Sequence, residues 1–328
     1  MSQTSSQPKV SIVFRALNEE KWFGDALKAC HEQVCDGFDM EIVLVDSGST
    51  DRTLEIADEH DVRVFHIKKS DFTFGRSLNM GCEAATGDYL IFISAHCIPA
   101  HDRWLGNLIQ PLRENRADYV SGKQIGHDVT RYSEHQVFAQ YFGPVDKVPR
   151  ADIFCNNANA AISKQLWARY RFDEAVTGLE DLVLAKKIAE DGGALGYVAD
   201  APVYHIHEET LTQVRRRYYR EALTLREIFP AVHFNFGDFV RYFLVGVLHD
   251  FSESLNDRKF LETAPGIIAF RLMQYWGAYR GHNEHRVLSR AQKEQYYYPR
   301  PEESRGRSDL DRLQRAPVAT GGASKTEH

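Results

Sequence analysis

Residues 41–60 read EIVLVDSGSTDRTLEIADEH. The aliphatic run Ile42 to Val45 stops at Asp46 and gives way to small polar residues. The chain then resumes with Leu54 and Ala57, three apart as on one helix face. That is a strand, a polar turn and a helix in immediate succession, the unit from which parallel sheets with crossover helices are built. The same alternation continues on both sides. Val10 to Phe14, Val62 to Ile67 and Asp88 to Ser94 read as further strands, and Glu20 to Gln33, Thr50 to His60 and Gly75 to Ala85 as helices bordered by turn residues. The expected fold class is α/β, a Rossmann-like, mostly parallel sheet with flanking helices.

In such sheets ligands bind beyond the carboxyl ends of the strands. Those ends are unusually polar here: Arg15-Ala16-Leu17-Asn18-Glu19-Glu20, Asp46-Ser47-Gly48-Ser49-Thr50-Asp51, and Ser94-Ala95-His96-Cys97. A dinucleotide fold would place G-x-G-x-x-G after its first strand and a P-loop would carry G-x-x-x-x-G-K-[ST]. Neither motif occurs. The acidic and histidine-bearing ends point instead to phosphate held through a divalent cation.

From about residue 120 to 208 the pattern is mixed. It includes the Asn-rich run Phe154 to Ile162, a short helix after Ser163, a helix opening at Gly178-Leu179-Glu180-Asp181, and a last strand carrying Tyr204-His205-Ile206-His207. Residues 211–297 read as helices only, with breaks at Pro230 and Pro265, and 298–328 have the composition of a disordered tail. The expected organisation is a flexible start (1–8), a catalytic domain (9–210), a helical segment (211–297) and the tail.

The 328 residues carry 40 Lys plus Arg and 46 Asp plus Glu, a net charge of −6, which gives no reason to expect nucleic acid. Five cysteines with no C-x-x-C pair argue for reduced thiols and a cytoplasmic setting. The start has no apolar stretch of signal-peptide length, and the longest late apolar run, Tyr242 to Leu248, falls far short of the roughly 18 to 20 residues a membrane span needs.

Four stretches in order, VSIVFRALNEE, IVLVDSGSTDRT, GDYLIFISAHCIP and GLEDLVLAKKIAEDGG, resemble the family 2 glycosyltransferases with the glycosyltransferase-A fold, over residues 9–210. Asp71 to Asn79, Phe154 to Ile162 and Phe172-Asp173-Glu174 bring the bacterial rhamnosyltransferase-like members to mind as the nearer comparison. The resemblance implies an inverting transfer of a sugar from a nucleoside-diphosphate donor to a hydroxyl acceptor, in surface polysaccharide or lipid-linked glycan assembly. Such chemistry needs a Lewis acid at the departing diphosphate and a carboxylate to take the acceptor's proton. Asp181, in the first turn of its helix beside Glu180, is the expected base, since the helix dipole favours its ionised form.

At the family's D-x-D position stands Ser94-Ala95-His96, so His96 occupies the place of the usual metal-binding Asp. His205 and His207 share one strand face and offer further ligands, either of which the spacing allows. Imidazole suits manganese better than magnesium, so Mn2+ is expected over Mg2+. By the same resemblance Ala16 (through its backbone), Asn18, Glu19, Asp46, Ser47 and Ser94 line the nucleotide-sugar pocket with Asn79. Arg76 stands ready to replace a positive charge lost at Leu78, with a surface role as the equal alternative. Asn156, Asn157 and Asn159 either meet sugar hydroxyls on the acceptor side or satisfy loop backbone.

The departures at Ser47, Leu78 and the D-x-D position also fit a catalytically silent relative that binds nucleotide or glycan. A nucleotidyltransferase is a remote third reading. Residues 211–300 hold 14 Lys plus Arg against 9 Asp plus Glu, and the run Arg215 to Arg220 is basic. This segment either packs on the catalytic domain or a partner subunit, which leaves room for a homo-oligomer, or makes a peripheral contact with the anionic inner face of the membrane.

Overall fold

The computed structural model describes residues 7–284; the readings made for 1–6 and 285–328, the tail among them, lie outside these. The first half alternates as the sequence suggests: β1 (Lys9–Ala16), α1 (Phe23–His31), β2 (Asp39–Asp46), α2 (Thr53–Glu59), β3 (Arg63–His66), α3 (Phe74–Ala84) and β4 (Tyr89–Ser94). There follow β5 (Cys97–Pro99), α4 (Trp104–Arg113), β6 (Tyr119–Ile125), α5 (Tyr132–Tyr141), β7 (Asn159–Ser163), α6 (Lys164–Tyr170), α7 (Glu180–Glu190) and β8 (Leu195–His205). Three helices close the described chain: α8 (Leu211–Ile228), α9 (Phe236–Asn256) and α10 (Phe260–His282).

The eight strands form one sheet in the order β3-β2-β1-β4-β7-β6-β8-β5. β3, β2, β1 and β4 are mutually parallel, and β6 is parallel to β8. β7 runs antiparallel between β4 and β6, and β5 antiparallel to β8; the other six strands point one way, so the sheet is mostly parallel, as expected, with two antiparallel strands set into it. The mixed half is built from residues 97–205, where short strands and Asn-rich loops blur the periodicity.

Both faces of the central strands are covered, which is why they read as unbroken apolar runs. Ile12 and Phe14 of β1 pack with Phe23, Leu27, Trp104 and Ile109 of the helices on one side. Val13 packs on the other side with Leu78, Phe92, Trp167 and Leu184. Each such side chain contributes about 1.5–3 kcal/mol by leaving water.

α10 lies against α8 and α9. Its Gly277 and Gly281 face the backbone of Arg215 and Tyr219 on α8 so closely that a Cβ at either would collide with a carbonyl oxygen. Asp250 of α9 and Arg271 of α10 form a fully buried bidentate pair at 2.7 and 2.6 Å, 0% and 1% exposed, which sets the register of these helices. Pro230 follows the end of α8 as expected, but Pro265 lies inside α10 rather than at a break. It sits six residues into the helix, past the first four positions whose N–H groups have no partner, so the helix forgoes the bond to the Leu261 carbonyl there.

Among the described residues no helix is long and apolar enough to cross a membrane. Within the basic run of α8, Arg217 turns inward onto the Glu134 and Glu209 carboxylates, while Arg215 is exposed. The exposed apolar side chains, such as Leu244, Leu248 and Leu255, are on α9, with Leu261, Ile268 and Leu272 on α10.

Candidate active site

The carboxyl ends of β1, β2, β4 and β8 and the amino end of antiparallel β7 share one edge of the sheet, which gathers nearly every sequence-selected residue there. The first two ends are laced together. Ala16 O accepts from Ser47 N–H (3.1 Å) and from the Ser47 hydroxyl (3.2 Å). Asn18, held at φ 58°, accepts from Thr50 N–H at 2.8 Å and donates its own backbone N–H to Ser49 Oγ. Asp46, 1% exposed, accepts from Gly48 and Ser49 N–H at 2.9 and 3.1 Å. In this structure Ala16, Asn18, Asp46 and Ser47 therefore spend their polar groups shaping the two turns.

Glu19, expected in the nucleoside pocket, has both its carboxylate oxygens 3.2 Å from His96 Nδ1. His96 follows β4, beyond the half-buried Ser94, and its carbonyl accepts from Ile206 N–H at 3.1 Å. That bond carries the β5–β8 pairing past the strand end at His205, so the alternation persists and His207 comes to the same side. The three rings meet: His96 and His205 stack with centroids 5.3 Å apart, and His205 and His207 approach to 4.1 Å. One ring nitrogen from each of His96, His205 and His207 lies within 4.8 Å of the others.

Every Nδ1 in this cluster is engaged: His96 by Glu19, His205 by Gln124 Oε1 at 2.7 Å, and His207 by Glu134 Oε1 at 2.7 Å. Acceptors at Nδ1 fix the proton there and leave Nε2 with its lone pair, the usual arrangement of a metal-ligating imidazole. Burial and the neighbouring cations hold His205 and His207 well below the ordinary histidine range, hence neutral. Burial works the same way on His96, but the Glu19 carboxylate outweighs it and the net shift is upward. A divalent cation fits this donor set, which is nitrogen-rich and leaves remaining positions for water or diphosphate oxygens.

Asp181 and Glu180 open α7 after Leu179, which takes a left-handed conformation (φ 54°). Glu180 pairs with Arg15 Nη1 of β1 at 3.2 Å. Asp181, 8% exposed, accepts from the backbone N–H of Asn157 at 2.8 Å and of Leu182 at 2.8 Å. Burial, with the Glu180 charge adding to it, pushes its carboxyl up to about 7 despite those donors and Arg15. A carboxylate so poised exchanges a proton near neutral pH.

Other selected residues have structural work. Asn79 is 2% exposed; it donates to Phe172 O and Glu174 Oε1 and accepts from Trp167 Nε1 and Phe172 N–H, all at 3.0–3.1 Å. These four bonds saturate its amide. Arg76 is an ion-pair partner of Glu174 at 2.8 Å, the surface alternative. Asn159 accepts from Trp104 Nε1 and donates to Lys123 O and Ala201 O, leaving nothing for a sugar. Asn156 caps Ala158 N–H, and Asn157 accepts from Tyr119 OH while its buried Nδ2 is unsatisfied. Asn79→Ala should therefore cost roughly 2–3 kcal/mol of stability by orphaning buried donors. Urea unfolding checks this, with donor KM expected to stay unchanged; a KM effect without loss of stability would return Asn79 to the pocket.

Sequence reading missed Arg15, Gln124, Glu134 and Arg217. They lie on different elements, and Glu134 is 73 and 83 residues from its partners His207 and Arg217, so no local pattern connects them.

Residues 11–169 match the family described as Glycosyl transferase family 2. The O-antigen chain rhamnosyltransferase RfbN of Salmonella typhimurium is 24% identical over 223 residues, 64% of this chain and 70% of that protein. The O-antigen chain rhamnosyltransferase WbaN of Salmonella anatum is 24% identical over 190 residues, 55% of this chain and 60% of its own length. Among solved structures, a mannosyltransferase from Pyrobaculum calidifontis in complex with GDP-Man and Mn2+ superposes with a TM-score of 0.53 at 20% identity, covering 81% of this chain and 74% of that one. Glucosyl-3-phosphoglycerate synthase from Mycobacterium tuberculosis, in complex with Mn2+, UDP and glucosyl-3-phosphoglycerate, gives 0.51 at 23% identity over 67% and 79%. These structures share the glycosyltransferase-A fold with this chain.

Proposed function

We propose that the chain, whose residues 11–169 match the Glycosyl transferase family 2 model, transfers a deoxyhexosyl group, with rhamnosyl first in line, from a nucleoside-diphosphate donor to a hydroxyl of a growing surface glycan, with inversion. The sugar and the glycan rest on the two rhamnosyltransferase relatives. The observation that carries the reading is the meeting of three tautomer-fixed imidazoles on the sheet edge that also bears Asp181.

In this mechanism Asp181 accepts the proton of the acceptor hydroxyl as its oxygen attacks the anomeric carbon. The bond to the donor's diphosphate breaks on the opposite face, and the anomeric configuration inverts. Glu180, held in place by its ion pair with Arg15, keeps a second negative charge close enough to raise the basicity of Asp181. His96, His205 and His207 hold the divalent cation, which when bound supplies Lewis acidity to the departing diphosphate. Manganese is favoured because the donors are imidazoles. Five free thiols, four of them buried, support a cytoplasmic setting.

The test is incubation with a panel of sugar nucleotides, dTDP- and GDP-deoxyhexoses included, with Mn2+ and a lipid-linked glycan acceptor. Acceptor-dependent release of nucleoside diphosphate and an inverted linkage are expected. Pyrophosphate release, or donor binding with no turnover across the panel, would overturn the reading.

A further inference from the structure

Resting on the metal reading above, we propose that Glu134 and Arg217 are a positioning pair that locks His207 as a cation ligand, so that α8 governs how tightly the sheet edge holds its metal.

Glu134, on α5 and 1% exposed, accepts at a single oxygen from His207 Nδ1 at 2.7 Å and from Arg217 Nη2 at 2.5 Å. Arg217, on α8, also donates through Nε to Glu209 at 2.8 Å. Three chain segments far apart in sequence thus close a charge-assisted chain that ends on one ring of the histidine cluster. A carboxylate at Nδ1 sets the tautomer, fixes the ring plane and makes Nε2 a stronger ligand than an amide partner would. His205, with Gln124, has only the amide. The chemistry distinguishes the two rings, and His207 is the better donor.

The same atoms could be taken for a second cation site, because donor atoms of Glu134, His207 and Glu209 also lie within 4.8 Å of one another. The Arg217 guanidinium is bonded to both of those carboxylates and already supplies the positive charge there. A metal is thereby directed to the other side of His207, toward His96 and His205. Arg217 does two things at once: it compensates a carboxylate that would be costly to bury alone, and it keeps that carboxylate aimed at the imidazole rather than at the cation.

The experiment measures Mn2+ binding to the full-length protein, without donor, by electron paramagnetic resonance of free Mn2+. Wild type is compared with Glu134→Gln and with Glu134→Gln/Arg217→Met, the double variant removing both buried charges so that neither is stranded. Thermal unfolding is recorded in parallel. Both variants should bind Mn2+ about 10–100-fold more weakly, the range for loss of a partner hydrogen-bonded to a ligating histidine. The double variant should keep an unfolding midpoint close to wild type. Wild-type affinity in a folded double variant would overturn the positioning role while leaving the metal site standing. Absence of Mn2+ binding to wild type would instead sink the metal reading on which this rests.

Discussion

Asp181→Asn is expected to lower kcat by about 10² to 10⁴-fold while donor affinity stays within a few fold, because the amide is nearly isosteric yet cannot take the acceptor's proton. The variant should fold, since an amide oxygen can still accept from Asn157 N–H and the change removes a buried charge. A variant retaining more than about a tenth of wild-type kcat would sink the base assignment. The raised carboxyl adds a pH signature. The working form is the carboxylate, so kcat of the wild type should climb as pH rises through about 7 and flatten above it. Stability runs the other way. Between the ordinary carboxylate range and about 7 the folded protein holds a proton that the unfolded chain has released, so this residue's contribution falls as pH rises through that window. Asp181→Asn should remove both effects together, which pH-dependent urea unfolding and pH–rate profiles can check.

The second large effect is at His96. His96→Ala should raise the Mn2+ concentration needed for half-maximal turnover more than about 100-fold, beyond what loss of a hydrogen-bonding partner to a ligand produces. His96→Asp should recover cation use and shift it toward Mg2+, which prefers oxygen. Titrations of Mn2+ and Mg2+ against the three proteins decide the matter. Equal metal dependence in wild type and His96→Ala would show that the cation is held elsewhere or is not needed.

The sequence made the parallel half of the sheet legible because β1, β2 and β4 are buried on both faces over most of their length and the strands are separated by turns of distinctive composition. The antiparallel insertion of β7 was not legible, since five residues of Asn, Ala, Ile and Ser carry no sign of strand direction. At the site, His96, His205 and His207 could be selected because each lies at or just past a strand end, and their meeting follows from the β5–β8 pairing. Asn79 and Asn159 could not be told from ligand-binding residues in the sequence, for an instructive reason. A polar residue that saturates itself on distant backbone looks, in one dimension, like one waiting for a ligand. Glu134 and Arg217 escaped for the opposite reason, as ordinary helix residues whose meaning arises only where α5 and α8 face the same histidine.

The glycine contact between α10 and α8 bears on how such enzymes could be recombined. Gly277 and Gly281 seat α8 against α10 at backbone distance, and α8 delivers Arg217 to the histidine cluster. The helical segment is thus not a detachable module fitted to an autonomous catalytic half. A chimera joining residues 9–210 of this chain to the terminal helices of a relative should inherit a mismatched metal site unless the partners of Glu134 and both glycine positions travel with them.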